Sequence, residues 1–293
     1  MMRLTSVEER IDAWAHRRLG GVPEHGWRAR AVEFVVFVLK QAWACIFGAA
    51  LLAAIVAAKL WYPDDAALAR NDALVLAAVG IQFAMLVFRL ETVREASVIL
   101  MFHVVGTAME IFKTDVGSWV YTGDGVLHIA GVPLYSGFMY AAIGSYMVRV
   151  YRLFDLRFDR YPRRWITAVL AALIYANFFS HHWIWDFRVV LFAATFVIFG
   201  FCTMYVRIYR ATVQLPILLS FVGVAFFIWV AENIGTWANA WQYPHQESGW
   251  EIVSLAKLGS WFLLMIISVV LVAWVYPPRP PDGLERPVLP RGS

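Results

Sequence analysis

Residues 215–235 read LPILLSFVGVAFFIWVAENIG, an apolar run with no ionisable side chain before Glu232. The run is long and does not alternate, so it reads as a helix buried in hydrocarbon rather than as a strand. Seven more such runs lie along the chain, at 32–60, 73–89, 96–113, 134–153, 164–179, 188–206 and 255–276. A backbone in lipid must close its own hydrogen bonds, so a helix is the economical solution for each run. The expected fold is therefore all-α, a polytopic membrane helix bundle of about eight transmembrane helices.

Composition agrees with that reading. Of 293 residues, 61% are hydrophobic and 16% charged. Soluble domains carry nearer a quarter charged residues, so too few charges remain to coat a soluble protein of this size. The 14 Trp and 12 Tyr suit two interfacial belts. Loops on one side hold 19 of the 25 Lys and Arg, from Arg3 to Arg291. That bias places both termini in the cytoplasm and explains the +4 charge without nucleic acid, which is not expected as a partner. Cys45 and Cys202 lie inside apolar runs, so no disulfide framework or CxxC site is expected. Residues 1–31 form a cytoplasmic N-terminal segment with no cleavable signal peptide, and 277–293 form a proline-rich cytoplasmic tail. Its ending, Arg291-Gly292-Ser293, has the look of a tag remnant.

One pattern occurs twice. Glu110 is followed by Trp119 and Tyr121, and Glu232 by Trp241 and Tyr243, both as Glu-x8-Trp-x-Tyr. Four spans separate the copies, so they share one orientation. Two parallel four-helix repeats, 32–153 and 164–276, are expected, with the glutamates facing each other at similar depth.

Intramembrane carboxyls cost free energy and call for a reason. Glu110 and Glu232 are the candidate acid–base pair, because two carboxyls in a poorly hydrated site cannot both ionise easily. Their competing reading is interfacial, with each glutamate bonded to a neighbouring helix, or Glu110 to Lys113 one turn along. A second group is SHHWIWDFR at 180–188. His182 and Asp186 share a helical face and are candidates for an assisting base. Together with His181 they are candidate ligands for zinc or iron. Otherwise this stretch is an interfacial turn with wet polar groups. Trp119, Tyr121, Trp241, Tyr243 and Trp185 are candidate substrate-binding aromatics, or else belt residues. Asp115, Asp124, His128, His245, Glu247 and Glu251 read as solvated loop residues. Gly137 and Gly144 read as sites of close helix packing.

The strings EIFKTDVGSWVY, GVPLYSGFMYAAIGSY, SHHWIWDFR and AENIGTWANAWQYP resemble the bacterial integral membrane family called domain of unknown function 817. The resemblance covers roughly residues 30–275 and implies a multi-pass protein of the bacterial inner membrane, with no activity to carry over. A shorter likeness links Glu110, Gly117, Trp119, Tyr121 and Gly131-Val132-Pro133-Leu134 to the membrane-bound carotenoid cyclase and hydratase families. It implies carboxyl chemistry on polyene double bonds.

The expected function is a membrane enzyme acting on a lipid or isoprenoid, without a cofactor. A proton-coupled transporter or small-molecule binding protein is the alternative of another class, and a metal-assisted lipid hydrolase a further one. An oligomer is compatible with all three.

Overall fold

The computed structural model describes residues 5–20, 22 and 26–281. The tag-like ending and the tail from 282 onward lie outside the described residues, as does Arg3. The fold is mostly helical. Helix α1 spans Ser6–Leu19, α2 Trp27–Ala44, α3 Ile46–Trp61, α4 Arg70–Val87 and α5 Val93–Asp115. A two-stranded ribbon, β1 (His128–Ile129) with β2 (Val132–Pro133), precedes α6 (Tyr135–Leu153). Then come β3 (Arg157–Asp159), α7 (Arg164–Ser180), α8 (Arg188–Phe199), β4 (Thr203–Arg207) and β5 (Thr212–Pro216). Helices α9 (Ile217–Trp237) and α10 (Ala256–Val275) complete the chain.

Helices α4, α5, α9 and α10 are each long and apolar enough to cross a membrane, and the bent pair α2–α3 makes a fifth candidate. Helices α7 and α8 are apolar but shorter. Two expected spans change form. The run at 32–60 begins earlier, at Trp27, and breaks at Cys45, where α2 and α3 bend by 61°. The Arg149 guanidinium reaches the Trp43 carbonyl there (3.4 Å), and a side chain inserted into the helical ladder is a recognised cause of a kink. The run at 188–206 is helical only to Phe199. Twelve residues rise about 18 Å, short of a hydrocarbon core of about 30 Å. Its remainder is β4, rich in β-branched and aromatic residues, which pairs antiparallel with both β3 and β5.

This three-stranded sheet and α1 gather at one end of the bundle, the arginine-rich end. The segment before residue 32, where described, is largely helical, as α1 and the start of α2. Glu8 of α1 is fully buried and bonds Arg152 of α6 (2.7 Å). Arg152 also pairs with Glu95, which caps α5 by accepting from the Thr92 amide (2.7 Å). Beside them Arg149 and Glu91 form a wholly buried pair (3.1 Å), with Ser145 and Gln82 also bonding Glu91. Lys40 turns to the same end, towards Asp12 (3.0 Å) and the Ile208 carbonyl (2.7 Å). Asp155 meets Arg157, Arg207 and Arg279 nearby. Burial pushes its carboxyl up, but these three guanidiniums outweigh that and hold it below the usual range.

Candidate functional site at the glutamate end

At the opposite end, α5 and α9 terminate in the same way. Gly117 stands seven residues after Glu110 and takes φ +71°, and Asn239 stands seven after Glu232 and takes φ +53°. These left-handed residues turn each chain back on its helix, closing Ser118 N–H to the Lys113 carbonyl (2.9 Å) and Ala240 N–H to the Gly235 carbonyl (3.0 Å). Both returning segments then run beside each other. Val120 and Gln242, the middle residues of the two Trp-x-Tyr motifs, exchange both backbone hydrogen bonds at 2.9 Å. The two motifs thus pair directly; Trp119 and Tyr121 of the first reach back to Glu110, and Tyr243 of the second reaches back to Glu232.

Glu110 is 3% exposed. Its Oε2 accepts from Trp119 Nε1 (2.7 Å) and the Tyr121 hydroxyl (2.6 Å), and its Oε1 from the Tyr140 hydroxyl (2.7 Å). Tyr140 crosses α5 at Gly106, where a Cβ would lie 2.2 Å from its ring. Only glycine leaves room for that crossing. Gly137 and Gly144 bring α6 against His103, Thr107 and Phe102 of α5, as their expected packing role requires. Glu232 accepts from the Tyr243 hydroxyl and from Trp261 Nε1 (2.8 Å). Trp241 does not bond it. The Trp241 ring instead covers Gly235, where a Cβ would lie 2.3 Å away. Burial first, then the adjacent carboxyl, pushes the Tyr121 and Tyr243 hydroxyls well above their ordinary range. Both therefore stay protonated donors near neutral pH.

Among the described residues, neither glutamate forms an ion pair with an Arg or Lys. Lys257, at the start of α10, interacts electrostatically with both. Its ammonium sits over the faces of Trp119 (4.9 Å) and Tyr243 (4.3 Å), whose polar edges serve the two carboxyls. Of the two bonds the interfacial reading offered, the one from Glu110 to Lys113 is absent, and the one to a neighbouring helix is present, from Tyr140 of α6 to Glu110 and from Trp261 of α10 to Glu232. Lys113 lies over the Phe178 ring and faces His182 Nε2 at 2.8 Å.

The 180–188 stretch is arranged differently from expectation. Asp186 does not orient His182. It accepts from Asn177 (3.1 Å) and the Arg188 amide (2.9 Å) and pairs with the Arg188 guanidinium (3.2 Å). Burial raises its carboxyl, but Asn177, Arg188 and His181 together hold it below the usual range. His182 is held below the ordinary imidazole range by burial, then by Lys113 and His181. His181, His182 and Asp186 do not form a metal-ligand set, and no group of three or more His, Cys, Asp or Glu among the described residues does. The reason is local: the carboxylate is spent on Asn177 and Arg188, while an ammonium faces the imidazole. Trp185 is 84% exposed and stands outside the cavity described next.

A cavity of about 1840 Å3 adjoins the glutamates. It exceeds the usual small-molecule pocket of about 300–1,000 Å3. Glu110, Glu232, Trp119, Tyr121, Trp241 and Tyr243 all line it, with Lys257. Its walls are mainly apolar side chains of α2, α3, α6, α9 and α10. Along α9 it runs from Ile217 to Ile234, about 26 Å at 1.5 Å per residue. Phe34, Leu219 and Phe227 line it while remaining largely exposed, so it opens sideways between α2 and α9. Tyr140, Trp261 and Lys257 were not singled out from sequence. The only signal was position, since Tyr140 and Trp261 follow their glutamates at nearly equal intervals.

A family model described as "Protein of unknown function (DUF817)" matches residues 33–269. The chain is 40% identical over 245 residues to "Uncharacterized protein YoaT" of Bacillus subtilis (strain 168). That match covers 83% of this chain and 92% of the relative. No solved structure matches. With four or five candidate membrane spans and a family model covering most of its length, the chain belongs to the DUF817 family.

Proposed function

We propose that this protein is a membrane-embedded enzyme that acts on a lipid or isoprenoid by acid–base chemistry of Glu110 and Glu232. One observation carries the reading: two buried carboxyls without ion-pair partners lie at the end of a long apolar cavity that opens sideways. Such carboxyls can exchange a proton with a substrate, and their fixed Tyr and Trp donors keep them oriented. Glu232 accepts from two donors where Glu110 accepts from three, which leaves it the freer of the two to carry the exchanged proton. Other aromatic rings that line the cavity, such as those of Tyr121 and Trp241, would favour positive charge developing on a polyene. The likeness of Glu110–Leu134 to the carotenoid families points to the same chemistry.

The matching helix ends and the Val120–Gln242 pairing support a duplication, with two parallel units meeting at this site. The Arg bias supports an inner-membrane protein with the arginine-rich end and both termini in the cytoplasm.

The test is neutral replacement. Glu110→Gln and Glu232→Gln are each expected to change the lipid profile of cells relative to wild-type expression. An unchanged profile in both would remove the acid–base reading. A carrier is favoured by one feature, that the cavity is lined at its far end by Arg30 and Arg210 as well as by Lys257 at its near end. Uptake of radiolabelled lipid or isoprenoid by reconstituted vesicles under a proton gradient would favour it.

A further inference from the structure

Three cations surround the glutamate end of the cavity: Lys113, Lys257 and Arg188 all line it. They act on one another, since Lys113 interacts with Lys257 and Arg188, and Lys257 with Arg188. Like charges gathered in one place repel, and such a grouping favours a counter-ion. Their partners differ. Arg188 is paired with Asp186 (3.2 Å), and Lys113 has the His182 ring (2.8 Å). Lys257 has neither a hydrogen bond nor an ion pair among the described residues; it rests over two ring faces and feels Glu110 and Glu232 at longer range.

An ammonium carries three donors and no acceptor. Lys257 is half-buried, and to the extent that it is shielded from water its donors gain by meeting an acceptor. The carboxyls attract Lys257 from a distance but make no hydrogen bond or ion pair with it among the described residues; they are bonded instead by Trp119, Tyr121, Tyr140, Tyr243 and Trp261. The space in front of Lys257 is the cavity itself.

From this we infer that Lys257, with Lys113 and Arg188 around it, binds the anionic head of an amphiphile, a phosphate or carboxylate whose hydrocarbon chain lies in the cavity along α9. The inference rests on the proposed lipid-directed function and names the class of molecule that the site takes. Lysine binds such groups as a compact point charge, and its hydrogen bonds to an anion are charge-assisted. The sideways opening at Phe34, Leu219 and Phe227 admits the chain from the bilayer.

The test uses the full chain in nanodiscs of neutral phosphatidylcholine, with empty discs as the control. Hexadecyl phosphate, hexadecanol and inorganic phosphate are titrated separately and followed by tryptophan fluorescence. Hexadecyl phosphate is expected to bind at least about tenfold more tightly than either of the others, the scale of one charge-assisted hydrogen bond. Lys257→Met is expected to lose about that factor, and Lys257→Arg to keep most of it. Equal binding of hexadecanol, equal binding of inorganic phosphate, or wild-type affinity in Lys257→Met would each overturn the proposal. Should Lys257→Met fail to fold, Lys113→Met serves in its place, with a several-fold loss expected and wild-type affinity again overturning it. The assay needs no turnover. Its failure leaves the glutamate replacements to decide the proposed chemistry, and their failure leaves the binding result standing.

Discussion

Both ends of the bundle bury carboxyls, and they satisfy them by different means. At the arginine-rich end Glu8 and Glu95 share the Arg152 guanidinium, and Glu91 has Arg149. At the glutamate end Glu110 and Glu232 meet only hydroxyl and indole donors, while Lys257 is held off by ring faces. A buried charge matched by an opposite charge is settled, and removing one partner strands the other. A buried carboxyl held by neutral donors keeps its position but has no neutralising charge in contact, which is the arrangement suited to moving protons. The first end ties α1, α5 and α6 together. The second spends its polar groups on a cavity.

The contrast is broken most sharply at Arg152. Arg152→Met leaves Glu8 and Glu95 buried without a counter-charge, and about 3–5 kcal/mol of stability should be lost. Unfolding of the detergent-solubilised variant would measure this, and a loss under about 1 kcal/mol would contradict the role given to Arg152. At the other end, Tyr140→Phe takes one donor from Glu110 and should cost only about 1–3 kcal/mol. Its larger effect should fall on the lipid profile, so a variant with lowered stability and an intact profile would count against a chemical role for Glu110.

Gly106→Ala places a Cβ within the Tyr140 ring and should act in the same direction by displacing that hydroxyl. A destabilisation of about 1–3 kcal/mol is expected, and the double variant with Tyr140→Phe should cost less than the sum of the two. Additive losses would show that Gly106 does not act through Tyr140.

The smallest effects follow acidification, in two windows of the same sign. His182 binds its proton less readily when folded than at the ordinary value of about 6.5. As pH falls through that value the unfolded chain takes up the proton first, so stability declines. Asp155 is also held low, and its contribution is present above about 3.9 and lost as pH falls through its folded value. His182→Gln should remove the upper window and leave the lower one, as read from unfolding midpoints across pH.

Much of this was legible in local sequence. The apolar runs announced helices, and Glu-x8-Trp-x-Tyr singled out both carboxyls and their aromatic neighbours, although as substrate-binding or belt residues; the structure makes Trp119, Tyr121 and Tyr243 donors to the carboxyls. Gly137 and Gly144 marked the close contact of α5 and α6. Other readings failed because spacing reports only which residues can share a face. His182 and Asp186 had suitable spacing, yet Asn177 and Arg188 claimed the carboxylate, and Trp185 turned outwards. The repeated pattern also made the two tryptophans equivalent, but Trp119 bonds Glu110 while Trp241 packs on Gly235 and Trp261 supplies the indole donor to Glu232.

Sequence alone determined that this chain is helical and apolar, and that each glutamate is followed by the same Trp-x-Tyr pair. Those properties arise from hydrophobicity over a run of residues and from contacts within about a dozen positions. Tertiary structure decided that Val120 meets Gln242, that Tyr140 passes over Gly106, and that Lys257 stands between two distant motifs. It also decided where the run at 32–60 bends, since the guanidinium at Trp43 arrives from Arg149 on another helix. These contacts join residues far apart in the chain, and only the packing of whole helices brings them within reach.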